Sequence, residues 1–323
     1  MIVKGYVGID TSCYTTSVAI IDEAGDRIAD NRRILSVKEG KRGLAQSEMV
    51  FQHMRNLPEL WEGALGSISG IRIAGIGVST MPRRAEGSYM PAFLAGHGYA
   101  RVLSAALDVP IYGISHQEGH IYAGLWSCRQ LASDDFLAMH VSGGTTELVR
   151  VRRDGDIIRS VELLGGSCDL HGGQFVDRIG VALGLSFPTG KKLEELAKSG
   201  HDDAVELPVS VRGLTVSFAG PESHAQRLMT KPYDKAAMAA GVEECIAKTL
   251  ARLLRNAVQE TGCRDILMVG GVMSNTYIRN YLKVYFAKKR IHAKLHYPEA
   301  VYSPDNAMGA AYAAWLMRGE NRT

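Results

Sequence analysis

Apolar positions along this chain change period in a pattern that repeats. From Tyr6 to Ile21 they are dense on both sides of the small, hydroxyl-rich stretch Thr11-Ser12-Cys13-Tyr14-Thr15-Thr16, which predicts a strand, a tight turn and a second strand, with a further turn at Gly25-Asp26. The same grammar returns later. Phe136 to Ser142 predicts a strand, Gly143-Gly144-Thr145-Thr146 a turn, Leu148 to Arg152 a strand, and Asp154-Gly155-Asp156 a turn into a strand over Ile157 to Leu164. Laying one segment on the other without gaps pairs Ser12 with Ser142, Thr15 with Thr145, Thr16 with Thr146, Gly25 with Gly155 and Asp26 with Asp156, as an internal duplication would. Behind each hairpin the period becomes helical: Met49, Val50, Met54, Leu57, Leu60 and Leu65 stripe a helix over Ser47 to Leu65, and a longer amphipathic pattern runs from Ala236 to Val258. Ile71 to Val78 and Ile266 to Val269 are short apolar runs of the kind that form fully buried strands.

These elements predict an α/β protein of two duplicated lobes. The first is expected over residues 1–130 and the second over 131–323, with the C-terminal helix packing back toward the first lobe. Each lobe opens with a hairpin whose turn offers backbone N–H and hydroxyl groups. Facing each other across a cleft, two such turns suit the binding of phosphate.

Composition narrows the class. A chain of 323 residues that is 46% hydrophobic can bury two cores. No apolar run approaches the roughly 20 residues that span a bilayer, and residues 1–30 read as strands and turns rather than as a leader. The expectation is a cytoplasmic protein with no membrane association. The five cysteines are odd in number and lack CxxC pairing, which argues against a disulfide framework or a zinc ribbon and for buried thiols. A net charge of +3 identifies no partner. Arg150, Arg152 and Arg153 and the segment Lys283 to Arg290 are candidate patches for RNA phosphates, although solvated charge on an ordinary surface is the favoured reading of each alone.

The candidate chemistry begins at Ser115-His116-Gln117-Glu118-Gly119-His120. Ser115 and Glu118 form a capping box, so a helix starts there with His116 and His120 on one face, about 5 to 6 Å apart at Cβ. That spacing suits two imidazoles on one metal ion, or simply a polar helix surface. Zinc-peptidase chemistry needs Glu directly after the first His, where this chain has Gln117. Asp305, ahead of the small-residue helix Ala307 to Trp315, reads equally as a ligand or a helix cap. The Gly270-Gly271 turn between a strand and a helix start lets backbone approach a ribose or phosphate, and Gly184 to Gly190 either ends a helix or touches a ligand.

Taken in chain order, Gly8-Ile9-Asp10-Thr11-Ser12-Cys13, the segment from His116 to His120, Ser142-Gly143-Gly144, Phe175-Val176-Asp177, Gly184 to Pro188, Gly270-Gly271-Val272 with Asn275, and Asp305-Asn306 resemble the tRNA threonylcarbamoyladenosine transferase (TsaD) family, once described as glycoproteases. The resemblance implies an actin-like two-lobed fold in which His116, His120 and Asp305 bind one iron or zinc ion. It also implies an adenine-nucleotide site, for ATP, AMP or threonylcarbamoyl adenylate, built from His140, Val141, Ser142, Gly143 and Gly144 with Asp177, Gly190 and Asn275. The implied reaction transfers a threonylcarbamoyl group from the adenylate to N6 of a tRNA adenosine, in company with partner proteins of a threonylcarbamoylation complex. The Gly270-Gly271 turn is expected to face the Ser142-Gly143-Gly144 turn across that nucleotide. No residue is singled out as catalytic.

The departures from the family pattern count too. Tyr14 and Thr15 stand where the family carries two acidic residues, Thr145 replaces a histidine, and Met81 to Pro91 departs from a glycine-rich loop. They imply a divergent paralogue with an altered substrate or activity. The alternative is a non-catalytic regulatory or scaffold subunit that keeps nucleotide and metal. An actin-like ATPase or sugar kinase leaves the histidine pair unexplained.

Overall fold

The computed structural model describes residues 3–37, 43–66, 70–129 and 131–319. Strands β1 (Val3–Asp10), β2 (Thr15–Asp22) and β3 (Arg27–Ile34) form an antiparallel meander. Helix α1 (Gln46–Gly66) leads to β4 (Ile71–Met81), parallel to β1; α2 (Phe93–Leu107) leads to β5 (Ile111–Ser115), parallel to β4. The sheet order is β3-β2-β1-β4-β5. Helix α3 (His116–Cys128) follows directly.

A second meander then repeats the first: β6 (Asp135–Val141), β7 (Thr146–Asp154) and β8 (Ile157–Ser167). After α4 (Gly172–Ala182) and α5 (Gly190–Ala197) come the short strands β9 (Ser210–Arg212) and β10 (Thr215–Ser217), then α6 (Ala219–Leu228) and α7 (Lys235–Thr261). Strand β11 (Asp265–Val269) lies parallel to β6. A 3-10 turn at Gly271–Ser274 and α8 (Thr276–Lys288) lead to β12 (Lys294–His296), parallel to β11, and α9 (Met308–Leu316) follows. The second sheet runs β12-β11-β6-β7-β8-β10-β9. Its first five strands, read inward from β8, reproduce the order and directions of β3-β2-β1-β4-β5, and β9 and β10 extend the edge. The duplication suggested by two turns thus extends to whole sheets.

The helical stripes predicted over Ser47 to Leu65 and Ala236 to Val258 are the cores of α1 and α7. Helix α7 lies under one face of the second sheet, where Leu137, Met139 and Val141 meet Ile246, Leu250 and Leu254. On the other face Phe136 and Ala138 pack with Ile121, Tyr122 and Leu125 of α3 and Ala310 and Ala313 of α9. Helices α3 and α9 therefore occupy the space between the sheets. Among the described residues no helix is long and apolar enough to cross a membrane. The cysteines are all unpaired, but only Cys245 and Cys263 are buried; Cys168 is exposed, because it follows the last residue of β8.

Helix α9 sits unusually close to its neighbours. A Cβ on Gly77 of β4 would fall 1.9 Å from the carbonyl oxygen of Ala310, and one on Gly309 would fall 1.8 Å from that of Gly119 in α3. Both contacts are backbone on backbone, which no side-chain rotation relieves. Gly77→Ala is therefore expected to cost about 2 kcal/mol through overpacking, read as a lower melting temperature in thermal denaturation. An unchanged melting temperature would mean that α9 moves away freely.

Candidate functional site

Helix α3 starts where β5 stops. Ser115 caps it by accepting from the Glu118 N–H, and Glu118 accepts in return from the Ser115 N–H, so the predicted capping box is formed. This fixes the first turn and puts His116 and His120 one turn apart, with ring centroids 4.5 Å apart. Asp305 comes to them from the segment ahead of α9. Ala307 takes the N-cap position with no side-chain cap, and Asn306 braces the segment before it: its side chain accepts from the Met308 N–H and donates to the Tyr302 and Pro304 carbonyls. Asp305 is left to face the histidines, with Oδ1 3.3 Å from His120 Nε2 and 3.7 Å from His116 Nε2. One ligand atom from each of the three residues lies within 4.8 Å of the others.

The electrostatics match a cation site. Burial resists protonation of His116, but the Asp10 and Asp305 carboxylates outweigh it and raise its pKa. His120 is held below the ordinary histidine value by burial and by His116. Burial pushes the Asp305 carboxyl up, yet the two histidines overcome this and hold it below the usual range. An ionised carboxylate beside a neutral imidazole is the state a metal ion requires of its ligands. His120 Nδ1 is buried without a hydrogen-bond partner and its Nε2 faces the Asp305 carboxylate at 3.3 Å, so the residues present fit a bound ion.

Asp10, at the end of β1, places Oδ2 3.6 Å from His116 Nδ1, on the other side of that ring from Asp305. The sequence placed it inside a matching segment but assigned it no role. Its signal was positional: it occupies the place in β1 that His140 occupies in β6, 130 positions later. The His140 ring lies 4.4 Å from that of His120 and 6.2 Å from that of His116.

The remaining predicted residues gather around the end of β6. The Ser142 N–H donates to Thr145 O, closing the turn, and the Gly173 N–H at the start of α4 donates to Ser142 O. Beside Gly143, Gly144 and Gly271 there is open space where a side chain would be, so the backbone there is free to meet a ligand. Gly270 has φ +95° and presses against the carbonyl of Val141. The Ser142 and Gly270 turns therefore stand side by side at the ends of neighbouring strands, not facing each other as the sequence suggested, because β6 and β11 are paired. Gly190 opens α5 rather than ending a helix. Asp177 accepts from the N–H and hydroxyl of Thr189, and burial raises its pKa.

Asn275 is more occupied than expected. Its oxygen caps α8 through the Ile278 N–H, and its amide donates to Glu243. Glu243 is buried, lies 3.2 Å from His201 Nε2, and was not foreseen, because inside the amphipathic pattern of α7 it looks like one more surface acid. Tyr14, at the first hairpin turn, meets Phe187 edge to face at 5.4 Å, so a residue that departs from the family pattern joins the two lobes. Arg150, Arg152 and Arg153 pair with Asp134, Asp135, Asp156 and Glu162 and do not form a free basic patch.

Comparison with known proteins now bears on this arrangement. The sequence model of the TsaD family, tRNA N6-adenosine threonylcarbamoyltransferase, matches residues 36–312. The chain belongs to this family. It is 32% identical over 312 residues to the tRNA N6-adenosine threonylcarbamoyltransferase of Thermus thermophilus, covering 96% of this chain and 91% of the relative. For the protein of the same description from Neorickettsia sennetsu the figures are 29% over 316 residues, with 95% and 92% covered. Among solved structures it is similar to the ADPNP-bound activator of 2-hydroxyisocaproyl-CoA dehydratase from Clostridium difficile, with TM-score 0.56, 17% identity and 98% and 96% of the two chains covered. It is also similar to a ROK family glucokinase from Streptomyces griseus, with TM-score 0.57, 12% identity and 97% and 99% covered. At these identities the structural likeness establishes the fold, which is actin-like. Within that fold the histidine pair and Asp305 come close together.

Burial raises the Glu243 carboxyl from the usual 4.5 to about 7. Because the folded state binds this proton more tightly than the unfolded chain, its stabilising effect is complete below about pH 4.5 and is lost as pH rises through about 7. Glu243→Gln is expected to match the parent near pH 4.5 and to exceed it at pH 8 by on the order of 2 kcal/mol, as urea unfolding at both pH values will show.

Proposed function

We propose that this chain transfers a threonylcarbamoyl group from an adenylate to N6 of a tRNA adenosine. His116, His120 and Asp305 hold one iron or zinc ion, and the turns at Ser142-Gly143-Gly144 and Gly270-Gly271 hold the adenine nucleotide with help from Asp177, Gly190 and Asn275. The two lobes divide near residue 130, and partner proteins complete the system. The observation that carries this reading is the convergence of His116, His120 and Asp305 from two distant segments into one group, in a chain of this family. A regulatory or scaffold subunit could keep the same metal group, so membership of a family of transferases is what favours the enzyme.

The reaction forms a bond from N6 of adenosine to the carbamoyl carbon and breaks the bond from that carbon to the phosphate oxygen, so AMP departs and the amine gives up a proton. When bound, the ion supplies Lewis-acid polarisation and a fixed point for the acyl donor. The protein's own contribution is placement. The exposed backbone at Gly143, Gly144 and Gly271 can donate to phosphate oxygens, and the Ser142 turn is held rigid by Thr145 and by the start of α4. An exocyclic adenine amine is a weak nucleophile, so holding it against the carbonyl with water excluded accounts for much of the rate.

Threonylcarbamoyl adenylate and unmodified tRNA, incubated with the metal-loaded chain and cell extract depleted of it, are expected to yield threonylcarbamoyladenosine by nucleoside mass spectrometry. No product with or without extract would overturn the reading. His116→Ala with His120→Ala is expected to reduce bound metal to background. Tyr14→Asp with Thr15→Glu restores the charge the family carries at that turn and is expected to raise turnover of the isolated chain roughly tenfold, the effect of about 1.4 kcal/mol on the barrier.

A further inference from the structure

The segment that follows β4 is pinned to the first turn of α3. Pairing with β5 stops at Met81, and the Pro82 carbonyl accepts the Gln117 N–H at 3.1 Å, one of the amide groups that a helix start leaves without a partner of its own. The Arg83 N–H donates to Ser88 Oγ and the Arg83 carbonyl accepts from the Ala85 N–H, so the backbone is held on both sides of this residue. Two arginines leave the turn. Arg84 places Nε on Glu118 at 2.7 Å and turns Nη2 to the Gly113 carbonyl, so the forked edge of its guanidinium is engaged by the elements it covers.

Arg83 is engaged differently. Its Nη1 donates to Glu147 Oε1 at 2.6 Å, and among the described residues its side chain makes no other hydrogen bond. Half of that side chain is exposed, so the ion pair contributes little to stability. Nε and Nη2 stay free, and they form the edge that grips a carboxylate with two parallel bonds. The anchor is firm, because the Glu147 side chain is largely buried and its Oε2 accepts from Gln117 Nε2 at 2.6 Å. Glu147 pairs with His140 across the β6–β7 ladder, just past the Ser142 turn. The guanidinium is therefore held between that turn and the start of α3. His171, at the head of α4, feels the same pair: burial holds its pKa below the ordinary value, Glu147 raises it and Arg83 lowers it.

We infer that Arg83 is a specificity-determining residue of the donor site, whose free Nε–Nη2 edge receives the carboxylate of the threonyl group while Glu147 holds the other side of the guanidinium. The inference rests on the transferase reading above. In threonylcarbamoyl adenylate this carboxylate is the charged group of the acyl portion, a few bonds from the phosphate. With the phosphate on the open backbone of Gly143 and Gly144, the acyl group extends toward the start of α3, where Arg83 is fixed. The planar fork suits a carboxylate, and the phosphate is already served by backbone N–H groups. A donor that carries a bare carbamoyl group leaves the fork empty.

The test needs no tRNA. A fluorescent AMP analogue bound to the full-length chain is displaced with AMP, with carbamoyl adenylate and with threonylcarbamoyl adenylate, for the parent, Arg83→Gln and Arg83→Lys. The parent is expected to bind threonylcarbamoyl adenylate roughly 10- to 100-fold more tightly than carbamoyl adenylate, as a charged hydrogen-bonded pair would give. Arg83→Gln should erase that preference, leave AMP affinity unchanged and melt with the parent. Arg83→Lys keeps the charge without the fork and should recover only part of it; should the glutamine protein not fold, the lysine variant carries the same readouts. In the assay with depleted extract, the KM for the donor should rise in Arg83→Gln while the KM for tRNA does not. Equal weakening of AMP and both adenylates would place Arg83 on the phosphate, and a raised KM for tRNA with unchanged donor binding would place it on RNA. Either result overturns the inference, as does an unaltered preference in Arg83→Gln or a parent that binds both adenylates alike, and all of these leave the transferase reading standing. If the parent binds no adenylate at all, both fall.

Discussion

Everything around the site depends on how closely α9 approaches the first sheet and α3. The glycines at 77 and 309 let helix backbone rest on strand and helix backbone, and the alanines of α9 keep that contact thin along its length. A bulkier helix would push the segment before it outward, and Asp305 with it. The distances of Asp305 to His116 and His120 are set by this packing and not by any bond that Asp305 makes to its own helix. Close-packed interiors transmit such displacements rather than absorbing them.

The same joint decides the electrostatics. Buried between two sheets, the histidines lose their hydration, and the carboxylates of Asp10 and Asp305 replace it unevenly. His116 lies between both acids and gains affinity for protons, whereas His120 loses it to burial and to its neighbour. Pairs of titrating groups driven apart in this way are typical of functional sites. Here one short stretch of helix, capped by Ser115 and Glu118, carries both histidines, so the asymmetry comes from what packs on each side of it.

The departures from the family pattern also acquire a physical meaning. Tyr14 is engaged with Phe187, joining the first hairpin turn to the loop ahead of α5 through a ring contact. Arg83 and Gln117 both bond to Glu147 of β7, so polar contacts also cross from the first half of the chain to the second. These contacts link the two halves of the chain, and the histidine pair and Asp305 lie together between the sheets.

Much of this was legible from sequence. Alternating and helical periods located β1, β2, β4, β6, β7, β11, α1 and α7, and the capping box located α3, because these depend on residues near one another in the chain. Spacing alone put His116 and His120 on one face. What sequence could not decide was which distant groups complete the site. Asp305 read equally well as a helix cap until it was seen to face the histidines, with Ala307 at the N-cap of α9; Asp10 and His140 are ordinary residues at strand ends until two sheets bring them to the same helix; and Glu243 looks like surface charge until α5, α7 and the start of α8 enclose it. The turns at Ser142 and Gly270 proved neighbours because β6 pairs with β11, a pairing across more than a hundred residues that no local pattern encodes. Periodicity reports which face of an element is buried, but only tertiary packing determines what lies against it.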